Sequence, residues 1–235
     1  MKILHLYHDL MNLYGDYANI SALTRILHLN GIEHTVDRLS LNDEPDLCGY
    51  DFIYVGSGSE ENQKLALSHL ITYKDDLAEY INSGKFALFT GNSFEMLGES
   101  IESFLGEFEG LGIFDFKTVE QNKTRTTADA VFENCEIDKP LVGFINKCSV
   151  IEGVAEPLFS VKIGLGNTKD DCFEGVRKNN FFGTHLTGPV LIKNPHFLLK
   201  LASDLAGTSL DDDFHFEKAG YEVTLKELSK TFKLA

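Results

Sequence analysis

Three short apolar runs each end in a turn and pass into a helical pattern, and this repeat constrains the fold more than any other feature of the chain. Residues 2–7 read as a buried strand followed by a loop over residues 8–16, after which Ile20, Leu23, Ile26 and Leu27 mark one face of a helix over residues 19–29. Asn30-Gly31 supplies its stop. Residues 51–55 form the second run, leading directly into Gly56-Ser57-Gly58-Ser59 and a helix expected over residues 60–82, closed by Ser83-Gly84. Residues 85–90 form the third, and a helix begins at residues 92–97 after a one-residue turn at Gly91. Such alternation predicts an α/β fold whose mostly parallel sheet is covered on both faces.

Beyond Gly112 the texture changes to shorter strand-like runs at residues 112–119, 130–133, 141–144 and 158–163. A late strand is expected over residues 181–186 and a closing helix over residues 194–205. The tail, residues 208–235, carries Asp211-Asp212-Asp213 and a short helical segment near residues 225–232. No internal repeat or linker divides the chain, so residues 1–235 are expected to form one domain.

Charge and cysteine usage narrow the function classes. With 36 acidic against 21 basic residues, the formal charge of −15 repels phosphate backbones and anionic lipid, arguing against nucleic-acid and membrane-surface roles. No apolar stretch approaches the roughly 20 residues of a membrane span, and the opening run meets Asp9 too early for a signal peptide. Cys48, Cys135, Cys148 and Cys172 are scattered without C-x-x-C or metal-ligand spacing. Reduced thiols in a cytoplasmic protein that holds no metal are the expectation.

Ligands of open α/β sheets bind beyond the carboxyl ends of the strands. The loops after Tyr7, at Gly56-Ser57-Gly58 and after Thr90 should therefore converge on one crevice. The glycine-rich loop can present backbone N–H groups to an anion or oxyanion, although any tight strand-to-helix turn also selects glycine. A strand entering a helix within one residue forces that residue toward positive φ, the geometry of a nucleophile elbow. At its tip stands Gly91, which takes the backbone strain and has no side chain to react.

These features, read with their wording, resemble the class I glutamine amidotransferases of the cobyric-acid-synthase-like branch, and most closely the glutaminase subunits (GatD) of bacterial lipid II isoglutaminyl synthase. The likeness runs from Leu6-Tyr7-His8-Asp9-Leu10-Met11-Asn12-Leu13-Tyr14-Gly15-Asp16, with Asn19-Ile20, through Gly56-Ser57-Gly58-Ser59-Glu60 and Gln63. It continues in Gly164-Leu165-Gly166-Asn167, Glu174-Gly175, Gly183-Thr184-His185-Leu186-Thr187-Gly188-Pro189 and Lys193-Asn194-Pro195. The resemblance implies a three-layer, flavodoxin-like fold and no cofactor. It also implies glutamine hydrolysis through a cysteine thioester, with ammonia passing to a Mur-ligase-like, ATP-dependent partner that amidates peptidoglycan precursors.

Two positions depart from that pattern. Gly91 holds the nucleophilic cysteine's place, in Gly91-Asn92-Ser93-Phe94-Glu95, and Thr187 holds the histidine's place in the late strand. A further departure is Asn146-Lys147-Cys148-Ser149, where the family has Asn-His-Gly-Gly. Arg125, in Thr124-Arg125-Thr126, matches the arginine that binds glutamine, and equally suits a surface ion pair. Four other groups are weighed as substitutes; one, Cys148, is the only thiol of the departed segment over residues 146–149, and nothing places it at the elbow. His185, two residues before Thr187, is a displaced base or a strand histidine bonded to a neighbour. Ser93 is a relocated nucleophile or a helix cap, and Thr90 is expected to bond backbone. The favoured reading is a bacterial amidotransferase-like subunit, a pseudoenzyme that forms a heterodimer with its partner and holds a glutamine-like ligand at Gly56, Ser57, Gly58 and Arg125. The alternatives are a working glutaminase with a rearranged site and a subunit of cobyric acid synthesis.

Overall fold

The computed structural model describes residues 1–121 and 125–232, so Thr124 and the last three residues of the expected tail lie outside it. The chain opens with β1 (Lys2–Leu6), α1 (Tyr17–Leu29), β2 (Thr35–Leu39), β3 (Phe52–Val55), α2 (Glu60–Leu70), α3 (Lys74–Asn82) and β4 (Phe86–Thr90). After a 3-10 segment, Gly91–Leu97, come β5 (Ser100–Ser103), β6 (Gly106–Glu109), β7 (Lys117–Glu120), β8 (Thr126–Glu133), β9 (Leu141–Lys147) and β10 (Ser149–Glu152). Then follow β11 (Phe159–Ile163), β12 (Phe173–Glu174), β13 (Val176–Lys178), β14 (Phe181–Thr184) and β15 (Leu186–Thr187). Three helices close the chain: α4 (Val190–Lys193), α5 (Pro195–Ala206) and α6 (His215–Phe232).

The central sheet has the order β13-β14-β4-β3-β1-β2. All its pairings are parallel except the edge strand β13, which runs antiparallel to β14. Side-chain alternation along β3 shows why this core is apolar throughout. Ile53 and Val55 face a cluster with Leu67, Leu77 and Tyr80 of α2 and α3. Phe52 and Tyr54 face the opposite cluster, with Ile20, Leu23 and Leu27 of α1 and Leu198 and Leu201 of α5. A strand buried on both faces reads as a continuous apolar run, as this one does. The three-layer, flavodoxin-like α/β architecture follows from these two helical coats.

An antiparallel sheet of order β12-β11-β8-β9-β15 extends the second cluster through Ala130, Phe132 and Leu141, while Val131 and Val142 on its other face meet Tyr221 and Leu228 of α6. A four-stranded sheet, β10-β7-β5-β6, lies beyond the elbow.

Several expected elements take a different form. The helix over residues 60–82 is divided by a 3-10 turn, Ile71–Tyr73, where three poor helix formers follow one another. The run at residues 112–119 forms a strand only from Lys117, because Phe116 is drawn into the core from a loop. The late strand at residues 181–186 splits into β14 and β15, which belong to different sheets, and His185 sits in the break. The short helix expected near residues 225–232 begins ten residues earlier, as the 18-residue α6. The partly exposed edge strand β2 was not anticipated.

Candidate functional site

β4, β3 and β1 are adjacent and parallel, so the loops leaving their carboxyl ends meet. The contacts are direct: the Leu13 N–H donates to the Ser57 carbonyl at 2.8 Å, and the Ser57 N–H donates to Asp16 Oδ2 at 2.6 Å. Close packing against backbone bars a side chain at Gly56, and one at Gly58 would require the Met11 side chain to shift. A Cβ at Gly56 would lie 2.3 Å from the Met11 carbonyl oxygen, and one at Gly58 would lie 2.3 Å from Met11 Sδ. Local strain gathers in the same region, where Tyr7 and Tyr14 hold φ of 54° and 60°.

The elbow has the expected backbone, with Gly91 at φ 63°. A Cβ at this residue would fall 2.2 Å from Ser57 Oγ and 2.4 Å from Ser57 Cβ. Next to it, the Asn92 carboxamide oxygen accepts the Gly58 N–H at 3.0 Å. Of the glycine-rich loop's N–H groups, those of Ser57 and Gly58 are therefore bonded to side chains of the protein rather than held open for an oxyanion. The sequence gives no signal for this, because Asn92 and Asp16 are distant along the chain from the groups they engage.

Ser93 and Thr90 also differ from expectation. Ser93 Oγ donates to the Thr90 carbonyl at 2.8 Å and the Val55 carbonyl at 3.1 Å, so it closes the strand ends rather than capping a helix N–H. Thr90 Oγ1 donates to Asp16 Oδ2 at 3.1 Å and lies 2.9 Å from the Tyr54 hydroxyl, so its partners are side chains and not backbone. Asp16 is fully buried with Oδ1 unpartnered, and burial pushes its carboxyl up to about 6 against the two hydrogen bonds that favour the anion.

Behind the elbow lies a buried polar network that sequence reasoning missed. His185 is 1% exposed; its Nε2 lies 2.9 Å from Glu95 Oε1, and its Nδ1 lies 3.4 Å from Glu174 Oε1. Glu95 also accepts from Ser149 Oγ at 2.5 Å and from Gln63 Nε2 at 2.8 Å, while Gln63 Nε2 reaches the Asn92 carbonyl at 2.6 Å. Burial alone would raise the Glu95 carboxyl; His185, Ser149 and Gln63 together hold it below the ordinary range. Lys147 is buried nearby, donating to the Gly166 and Asn167 carbonyls at 2.7 and 3.1 Å, and burial lowers its pKa. His185 thus joins the elbow, α2 and β12 through Nε2 and through its backbone N–H, which donates to Glu174 Oε1 at 2.7 Å, while Nδ1 makes no hydrogen bond. Thr187, equally buried, donates its hydroxyl to the Phe144 carbonyl at 2.9 Å.

A cavity of about 180 Å³ opens in front of the loops, with Ser57, Gly58, Asn92, Glu95, Arg125 and Lys147 among its walls. It brings together three of the expected binding residues, Ser57, Gly58 and Arg125; Gly56, Gly91, His185 and Thr187 are not part of its lining. Arg125 is already engaged, pairing with Glu60 and donating to Asn146 Oδ1 at 3.1 Å. Cys148, half-buried on the same rim, lies 3.1 Å from Glu60 Oε1; burial first, then that carboxylate, pushes its thiol up to about 12. So high a pKa suppresses the thiolate that nucleophilic attack requires.

The parallel sheet with its strand-to-elbow turn facing a glycine-rich loop is an α/β domain of the glutamine amidotransferase type. Two solved structures share the fold: one described as a glutamine amidotransferase, with TM-score 0.54, 19% identity and coverage of 87% of this chain and 99% of the other. The second is the glutaminase domain of Trypanosoma brucei CTPS with bound acivicin, with TM-score 0.53, 10% identity and coverage of 89% and 95%. The chain belongs to the CobB/CobQ-like glutamine amidotransferase domain family, which it matches over residues 2–195. It is similar to the GatD subunits of lipid II isoglutaminyl synthase (glutamine-hydrolyzing) from Streptococcus pneumoniae and Staphylococcus aureus. The first is 32% identical over 206 residues, covering 86% of this chain and 79% of the relative; the second is 33% identical over 211 residues, covering 88% and 86%. A cobyric acid synthase from Clostridium botulinum is 31% identical over 130 residues, only 49% of this chain and 25% of that protein.

Proposed function

We propose that this chain is an amidotransferase-like subunit that binds a small amide or amino acid without hydrolysing it. The observation that carries the reading is Gly91: the elbow tip has the backbone of a nucleophile position and no side chain, and Ser57 fills the space before it. Covalent catalysis needs a nucleophile within hydrogen-bond reach of a base. The groups weighed as substitutes are engaged elsewhere. Ser93 is tied to two carbonyls, Thr90 to Asp16 and Tyr54, His185 through Nε2 to Glu95, and the Cys148 thiol is raised far above neutral pH.

The extent of likeness to the GatD subunits, against the partial match to cobyric acid synthase, favours cell-wall precursor amidation over cobyric acid synthesis. In this reading the chain is cytoplasmic and bacterial, and its partner is a Mur-ligase-like, ATP-dependent subunit in a heterodimer. No helix among the described residues is long and apolar enough to cross a membrane. Arg125, with Ser57 and Gly58, would contact the ligand, Arg125 exchanging Glu60 for the ligand's carboxylate. A working glutaminase with a rearranged site is the competing reading. Incubation with acivicin followed by intact-mass measurement separates the two: an unmodified chain is expected, and a stoichiometric adduct located on any cavity residue would overturn the proposal.

A further inference from the structure

We propose that Ser57 is the plug of this site: its side chain occupies the volume into which any side chain at residue 91 must project, and the Asn92 carboxamide completes the closure on Gly58. This deepens the non-hydrolytic reading and rests on it, because it says why one substitution at the elbow does not re-arm the site.

The collision is specific. Ideal Cβ geometry at residue 91 meets Ser57 at Oγ (2.2 Å), Cβ (2.4 Å) and Cα (3.2 Å), so most of the conflict is with the side chain. Ser57 cannot retreat as a unit. Its N–H is held by Asp16 and its carbonyl by the Leu13 N–H, and the glycines on either side are pressed against Met11. The plug is therefore a side chain on a fixed backbone, removable by a change to glycine. Its hydroxyl makes no hydrogen bond to any described residue, and Ser57 lines the cavity, so this hydroxyl is the polar group a ligand meets where a reactive side chain would stand. On the other side of the turn, Asn92 Oδ1 sits on the Gly58 N–H as a ligand oxygen would, and Gln63 holds the Asn92 carbonyl. Gly91, Ser57 and Asn92 thus form one coupled unit, and Ser57 decides what the elbow can carry.

A double-mutant cycle tests this. Gly91→Ala and Gly91→Cys are each made in the wild-type and Ser57→Gly backgrounds, and the thermal midpoints are compared. The left-handed backbone penalises any residue at 91 in both backgrounds. The Ser57 conflict exists in only one. The loss in midpoint should be at least twice as large with Ser57 present, and peptide-resolved iodoacetamide labelling of the new thiol should be at least tenfold faster in Ser57→Gly/Gly91→Cys. If the cysteine variants do not fold, the alanine pair carries the cycle. Asn92→Ala should quicken exchange of the Gly58 amide hydrogen at least tenfold. Equal losses in both backgrounds would overturn the plug, as would equal labelling rates, and unchanged Gly58 exchange would remove Asn92 from it. The cycle uses no substrate. Glutamine hydrolysis by the wild-type chain would end the non-hydrolytic reading and leave the coupling standing, whereas equal losses would end the plug alone.

Discussion

Asp16 gives a test of the loop packing that can be worked through to a magnitude. Its carboxylate is buried, accepts from Ser57 N–H and Thr90 Oγ1, and leaves Oδ1 unpartnered. In Asp16→Asn the amide oxygen can take both hydrogen bonds, while the new NH2 group falls where Oδ1 has no partner. A buried unpaired donor costs roughly 1–3 kcal/mol, independent of pH. The carboxylate's own penalty does depend on pH. Its pKa rises from 3.8 to about 6 on folding, so the folded state binds the proton more tightly. Stability from this group is complete below 3.8 and is lost as pH rises through 6, by roughly 3 kcal/mol in all. The asparagine variant lacks that loss. Urea titrations of both proteins from pH 4 to 8 should show the variant less stable at pH 4, with the gap closing or reversing by pH 8 and changing by roughly 2.5 kcal/mol across that range. A difference constant with pH would show that Asp16 is not a buried, strained carboxylate, and the account of how the glycine-rich loop is anchored would fail with it.

His5 works in the opposite direction: buried in β1 with Nε2 unpartnered, it is lowered to about 4 by burial, then by His8 and Arg38. Its contribution is present above 6.5 and lost as pH falls through 4, so His5→Leu should remove roughly 3 kcal/mol of acid sensitivity in urea titrations between those pH values. Glu95→Leu leaves His185, Ser149 and Gln63 without their shared acceptor and should cost about 3–5 kcal/mol in chemical denaturation, with Glu95→Gln costing clearly less. Cys148 should react with iodoacetamide at pH 8 at least tenfold more slowly than exposed Cys135 and Cys172, by peptide-resolved mass measurement, and match them only once the chain is unfolded.

The strand–turn–helix core was legible because its signals are local. β3 is apolar on both faces, α1 carries its buried residues at helical spacing, and a strand meeting Gly91 at once implies positive φ. The late strand was misread because Gly183-Thr184-His185-Leu186 is continuous in sequence while its halves pair with β4 and β9 in separate sheets, a choice made by tertiary contacts. The site was legible in outline only. The glycine-rich loop and Arg125 do share a cavity, yet Asp16, Asn92 and Glu95 take their importance from partners that lie between 29 and 90 residues away along the chain. Nothing in the spacing of Gly56-Ser57-Gly58 says that its N–H groups are already satisfied, or that the Ser57 side chain lies over the elbow.

Release of ammonia and glutamate from glutamine is the most direct measurement of the central claim, made on the wild-type chain alone and together with a co-expressed candidate partner of the proposed Mur-ligase-like kind. The account predicts no release above buffer in either sample, because Gly91 carries no side chain and the Ser57 hydroxyl over it makes no hydrogen bond to a base among the described residues. Release that rises in proportion to the concentration of this chain would contradict it.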